Sequence, residues 1–297
     1  MRLTLIVLLC LLNAGCAIWR RDKEEPVENT GPVAKKVEPV LKPSEALQPK
    51  SHTLASPVSD QFYVRGTYFP ASVTTTLQLS PSAAVEGSTL IAEDDLGLDD
   101  QVDQGRMEFD IRLRENNHFR VDYFKLSRFR EQPLARSIIF GDFIFEEGTN
   151  FRSKLDWRVL SMTYSYSFVH TERFEGGLGV GIHLIEAHAE GREPGTLNRE
   201  KADEIGIFPT IAANLAFRIS KRWSITARGQ QFSANPEDFE GKMADYHGDL
   251  QYRWRRNFAI GLGYTKLETD LKVLDADQPL LFNLDTSGPE IFFRASF

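Results

Sequence analysis

The sequence predicts an all-β fold, a transmembrane up-and-down antiparallel β-barrel of about ten strands behind a disordered N-terminal linker. Three observations predict it. From Phe62 onward, apolar and polar residues alternate over repeated stretches, the period of strands that turn one face to lipid. Tight turns and long excursions take turns between those stretches. The final residues put Ile291, Phe293, Ala295 and Phe297 on one face and Phe292, Arg294 and Ser296 on the other. In water such an aromatic terminal strand is an aggregation template, whereas in a bilayer its apolar face is solvated by lipid.

The chain opens with an export segment. Met1-Arg2 is basic, Leu3 to Leu12 is apolar except for Thr4, and the small residues Ala14-Gly15-Cys16-Ala17 follow. The run is too short to cross a bilayer as a helix and fits the apolar region of a signal peptide, assigned here to 1–16. Its ending resembles a bacterial lipobox, in which Cys16 becomes the lipidated first residue of the mature protein. Asn13 stands where a lipobox usually carries Leu, so plain cleavage after Gly15 or Ala17 is the other reading.

Residues 17–60 read as a disordered linker. Pro26, Pro32, Pro39, Pro43, Pro49 and Pro57 interrupt a Lys/Glu-rich stretch without hydrophobic period. Such a segment buries too little apolar surface to offset the entropy lost on ordering. It is a periplasmic spacer, or a tether to peptidoglycan or a periplasmic partner; no motif favours the tether.

The barrel is assigned to 61–297. Met107, Phe109, Ile111 and Leu113 form one apolar face, and Leu160, Met162, Tyr164, Tyr166 and Phe168 another. Phe174, Leu178, Val180, Ile182 and Leu184 follow, then Ile205, Ile207, Ile211, Leu215 and Phe217. Tyr246, Leu250, Tyr252 and Trp254 precede Phe258, Ile260, Leu262 and Tyr264. Tight turns are expected at 115–117, 170–172, 220–222 and 255–257, with longer loops near 81–103, 131–151, 190–203, 235–242 and 273–285. Short periplasmic turns and long extracellular loops are the habit of outer-membrane barrels. Within 62–80 the apolar parity changes, from Phe62 and Val64 to Val73, Leu77 and Leu79, and a bulge near Pro70 is the expected cause. Eight strands is the alternative count, with one weak hairpin outside the membrane.

Composition narrows the function classes. Cys10 and Cys16, both in the export segment, are the only cysteines, so no disulfide framework is expected. A net charge of -7 argues against nucleic acid as a partner. The mean hydropathy of -0.32 is compatible with a barrel, whose lumen and loops are polar.

Three groups of residues bear on chemistry. Arg106, Arg112, Arg114, Arg120, Arg218, Arg228 and Arg253 are expected to face a lumen with Glu108, Asp110, Asp122, Glu175, Asp245 and Asp249. In a barrel this narrow, these charges pair across strands into a plug, or else they line a small charge-selective pore. His183, beside glycines, is expected as a satisfied lumen histidine. The acidic run Glu93-Asp94-Asp95 with Asp99, Asp100 and Asp103 has oxygen ligands for a divalent cation but lacks an EF-hand spacing; it reads as a solvated loop with no metal assigned.

The terminal Phe297, the Asp-Leu-Gly-Leu-Asp-Asp segment (95–100) and Ile139-Phe140-Gly141-Asp142 resemble uncharacterised proteobacterial outer-membrane β-barrel proteins, of the OmpA-like and porin-like superfamily. The resemblance implies outer-membrane residence, contact with lipid and lipopolysaccharide, and reading of Phe297 by the barrel assembly machinery. It brings no activity. Separately, Asp245-x-His247 resembles the His/Asp pair of the omptin outer-membrane proteases, with opposing carboxylates to come from Asp94, Asp95, Asp99 or Asp100. The reading taken is a structural or surface-interaction barrel with no catalytic residue and no cofactor.

Overall fold

The computed structural model describes residues 56–82, 84–235, 239–273 and 279–297. The export segment 1–16 with Cys16, and residues 17–55 of the linker, lie outside the described residues. Ten long strands form a single closed antiparallel ring, which settles the count at ten over eight. In chain order the strands are β1 (Phe62–Leu79), the short β2 (Leu90–Ile91), β3 (Gln101–Arg114), β4 (Asn117–Pro133), the hairpin β5 (Ile138–Phe140) and β6 (Phe143–Phe145), β7 (Asn150–His170), β8 (Phe174–Arg192), β9 (Arg199–Arg218), β10 (Trp223–Ala234), β11 (Phe239–Arg253), β12 (Phe258–Val273) and β13 (Leu280–Ser296). Around the ring the order is β1-β3-β4-β7-β8-β9-β10-β11-β12-β13, and β13 returns to β1 with Tyr63 opposite Ser296 and Leu79 opposite Leu280.

The turns joining β3–β4, β7–β8, β9–β10 and β11–β12 are short and lie at one end with Phe62 and Phe297. The opposite, long-loop end carries β2 and the β5–β6 hairpin. That hairpin turns on Gly141-Asp142, where Gly141 takes the left-handed φ of 59° that a two-residue turn demands.

No bulge occurs at Pro70. The pairing of β1 with β3 runs unbroken from Phe62–Ile111 to Ser72–Gln101, and odd residues face inward along all of β1. Register shifts fall instead near the short-turn end, at Arg112/Arg114 and Ser167/Val169. The parity change in the sequence has another cause: the barrel's hydropathy inverts with height. On β1 the inward residues run Tyr63, Arg65, Thr67 and then Phe69, Ala71, Val73, while the outward ones run Val64, Tyr68 and then Ser72, Thr74. On β8 the outward series passes from Leu178, Val180 and Ile182 to Glu186, His188 and Glu190, and the inward series from Glu175 and His183 to Ile185. β12 repeats it: Ile260, Leu262 and Tyr264 give way outside to Lys266, Glu268 and Asp270, as Thr265 gives way inside to Leu267.

The lower half, next to the short turns, is therefore apolar outside and polar inside, the pattern of a barrel in lipid. The upper half is polar outside and apolar inside, the pattern of a protein in water. Length agrees. At about 3.3 Å per residue and a tilt of about 40°, a strand of the length of β9 climbs about 50 Å, twice a bilayer's apolar band of about 25 Å. Exposed Tyr68, Tyr123, Tyr246 and Tyr264 sit at the changeover, where amphipathic rings favour a membrane interface.

Candidate functional site

The lumen is closed by two layers of different chemistry. The lower layer is ionic and starts at the short-turn mouth, where residues 56–60, the end of the segment read as linker, are seated. Buried Asp60 Oδ2 accepts from Arg253 at 2.9 Å and from Arg294 at 2.8 Å. Arg112 donates to both oxygens of Glu175, at 3.0 and 2.8 Å, and to the carbonyls of Val58, Asp60 and Glu115. His118 spans Asp110 (Nδ1, 3.1 Å) and Glu175 (Nε2, 2.8 Å). Two carboxylates can both accept only from an imidazolium, so the geometry fits the charged ring.

Above the base, Glu108 gathers the Tyr63 hydroxyl, Arg228 at 2.5 Å and Arg120 at 3.7 Å. Arg65 ties Asp249 (2.6 Å) to Glu290 and lies over the Phe292 ring. Arg106 joins Asp122 and Asp245, each at 2.7 Å. Every one of these guanidinium groups meets a carboxylate, as burial of charge requires. Between Glu175 and His183 the inner wall of β8 is glycine, and Gly181 shows the use: a Cβ there would come within 2.7 Å of the Thr210 hydroxyl, which with Thr163 donates to Gln230 Oε1.

The upper layer is mainly apolar, with a largely buried charged pair, Arg128 and Glu93, set beside Thr75. Trp157 stacks on Phe282 with ring centroids 4.9 Å apart, and Phe69 on Phe124 at 5.8 Å. Leu126, Val159, Ile185, Met243, Leu267 and Leu284 fill the rest. Of the cavities in the lumen, one near Asp60, Tyr63 and Arg120 measures about 50 Å³, and another beside His183 and Asp245 about 10 Å³. The second is the size of a single water.

Several expectations change. Arg114 is exposed at a turn and Arg218 half-buried near another, so neither joins the ionic layer. His183 is in the lumen as expected; neither ring nitrogen has a protein partner, and the water-sized cavity lies beside it. Sequence reasoning missed Asp60, Arg65, His118 and Glu290. Unbroken parity on β1 would have found Arg65; nothing local marks Asp60.

The acidic run folds against arginines. Glu93 pairs with Arg128 and accepts from the Thr75 backbone N–H at 2.9 Å. Asp95 takes Arg136 on both oxygens, at 2.9 and 3.1 Å, and this guanidinium holds its carboxyl below the usual carboxylate range. Asp99 lies 3.9 Å from Arg130. Among the described residues no group of three or more His, Cys, Asp and Glu is placed to hold a metal ion.

No family model matches the sequence, and no curated protein matches it. Solved structures do match by shape. The outer-membrane protease OmpT of Escherichia coli aligns over 83% of this chain and 100% of its own, with a TM-score of 0.50 at 8% identity. The toluene transporter TodX of Pseudomonas putida (84% and 94% covered, 8% identity, TM-score 0.30) and neisserial surface protein A (80% and 97%, 14%, 0.31) are also found. The fold is an outer-membrane β-barrel. At such identities the likeness concerns architecture, and its outward apolar band places the protein in the outer membrane.

Asp245 and His247 occupy the closed lumen of this barrel. His247 Nε2 lies 2.9 Å from Asp245 Oδ1 but also 2.6 Å from Arg106 Nη1. A guanidinium only donates, so it engages the Nε2 lone pair that a general base would use. Both side chains are under 4% exposed, with Met243 of the apolar layer above them on their own strand and Leu267 directly opposite Asp245 on the neighbouring one. Of the opposing carboxylates expected, Asp95 pairs with Arg136 and Asp99 lies nearest Arg130.

Proposed function

We propose that this protein is a non-conducting outer-membrane barrel that serves as a structural or surface-interaction platform, holding its upper half outside the membrane. One observation carries the reading: the lumen is filled twice, by paired charges below and by a packed aromatic core above. A narrow charge-selective pore would need a continuous polar path, and the upper layer interrupts it. Catalysis by Asp245 and His247 would need an open rim, and both are enclosed. Long strands with a water-type exterior support display of the loop end to the outside.

Planar-bilayer recording of the purified protein tests this. No steady conductance is expected; stable, charge-selective channels overturn the reading.

An export segment at 1–16, lipidated at Cys16 or simply cleaved, and a periplasmic spacer toward Asp60 complete the proposal. So does a role for Phe297 in assembly. Its N–H donates to the Phe62 carbonyl at 2.9 Å, its carbonyl accepts from Gln61 at 2.9 Å and Phe62 at 3.1 Å, and its ring stacks on Phe62 at 4.9 Å. Removing Phe297 takes these seam bonds and an outward aromatic away together. The expected result is a marked fall in outer-membrane protein by fractionation and immunoblot, and unchanged levels would count against it.

A further inference from the structure

The outer wall above the membrane band holds a concavity of about 280 Å³ that the function proposed above does not use. It is lined by Phe129, Arg152, Lys154, Glu190, Arg192 and Arg199, which project outward from β4, β7, β8 and β9. Strand register makes it unusual. Arg152 is directly opposite Arg192, and Arg192 directly opposite Arg199, so three guanidinium groups stand side by side across three strands. Like charges at directly paired positions destabilise a sheet.

The carboxylates nearby do not cancel them. Arg152 has Glu131 at 2.5 Å and Lys154 has Asp156 at 2.7 Å. Glu190 must serve two arginines, Arg199 at 3.0 Å and Arg192 at only 3.8 Å. The Arg192 Nε is buried and makes no hydrogen bond. Phe129, 56% exposed, floors the site with an apolar ring that Arg152 overlies at 5.5 Å. Cations beside an exposed ring form a surface for a group that is both anionic and flat-faced, as a phosphorylated or carboxylated sugar is.

Height selects among such groups. The last outward apolar residue on β7 is Leu160, and Arg152 lies eight residues further up. At about 3.3 Å per residue and a tilt of about 40°, that is about 20 Å beyond the hydrocarbon edge. Phosphates next to acyl chains do not reach it; the saccharide core of an outer-leaflet glycolipid does. We infer that Arg152, Arg192, Arg199 and Phe129 form a binding site for the anionic core sugars of lipopolysaccharide on the barrel's outer wall.

The test compares three probes on folded full-length protein in detergent: core-bearing lipopolysaccharide, bisphosphorylated lipid A without core sugars, and phosphorylated core oligosaccharide released from its lipid. The variants are the triple R152Q/R192Q/R199Q, F129A, and as control K242Q/K272Q, which removes outward charges on β11 and β12. Heat-modifiable gel migration confirms that each variant is folded. Core-bearing lipopolysaccharide is expected to bind the wild type and K242Q/K272Q equally. The triple variant should bind about tenfold or more weakly and F129A by a smaller factor, the order expected for lost charge-assisted hydrogen bonds. Binding of the released oligosaccharide supports recognition of the sugar itself; binding only of the lipid-borne form supports the leaflet as its source. Equal binding by wild type and triple variant, an equal loss in K242Q/K272Q, or full binding of lipid A without core sugars would overturn the inference.

Discussion

Asp60 shows how much one carboxylate holds when charge is buried. Its Oδ2 carries Arg253 from β11 and Arg294 from β13, and Arg294 also lies over the Tyr63 ring at 3.7 Å. Truncating it leaves two guanidinium groups beneath the mouth with fewer partners. The cost of breaking a buried pair from one side is about 3–5 kcal/mol, far more than a surface pair contributes. D60A should therefore lose stability of that order in urea unfolding of the lipid-refolded barrel, followed by tryptophan fluorescence, and D60N should lose less because it keeps an acceptor. A D60A barrel as stable as wild type would show that the base is held by something else. Asp60 was not legible in the sequence: it ends a proline-punctuated stretch without strand pattern, and its partners stand more than 190 positions away. Arg112, Glu175 and Asp245 were legible, since alternation on their own strands points them inward.

At the scale of the element, each strand carries two hydropathy patterns in sequence, and their junction sets how far the barrel sits in lipid. The sequence shows both patterns on β1. An even-to-odd switch, however, looks the same whether a bulge turns the strand over or the surroundings of its two faces change. Only the unbroken register with β3 and β13 separates the two. Lysine placed at different heights tests the junction. Ile211 is outward on β9, 71% exposed and within the apolar band; Thr74 is outward on β1 above it; Leu126 is inward in the upper core. I211K should cost about 2–4 kcal/mol, the penalty for a cation facing the middle of the bilayer. T74K should stay within about 0.5 kcal/mol, as a water-facing substitution does. L126K should cost the most, since it buries an unpaired ammonium among Phe124, Trp157 and Val159. Equal costs for I211K and T74K would place both positions in the same surroundings and remove the inversion.

The whole molecule follows from closing such strands into a ring. The lower lumen is lined by the faces turned from lipid, and the upper lumen by the faces turned from water. Ring closure itself was readable from the lipid-type face of the last strand, whereas the apolar upper lumen was not, because there the apolar face, which lower down marks the outside, is the inner one. The two fillings block the same axis in series, so opening one should not open the barrel. Arg65 and Glu290 form one bridge of the ionic layer, and Phe124 and Trp157 are among the largest groups of the apolar one. R65S/E290S removes a bridge without changing net charge, and F124A/W157A empties part of the core at a cost of about 3–5 kcal/mol per aromatic. Each double variant that still migrates as a folded barrel is expected to be silent in planar bilayers, because the other layer remains. The quadruple variant, if it also migrates as folded, is expected to pass current, because water can then reach along the whole lumen. Conductance from R65S/E290S alone would mean that the aromatic layer is no barrier, and conductance from F124A/W157A alone that the charges are none; either result breaks the series arrangement. Silence from a folded quadruple variant would move the block to the loops at the long-loop end.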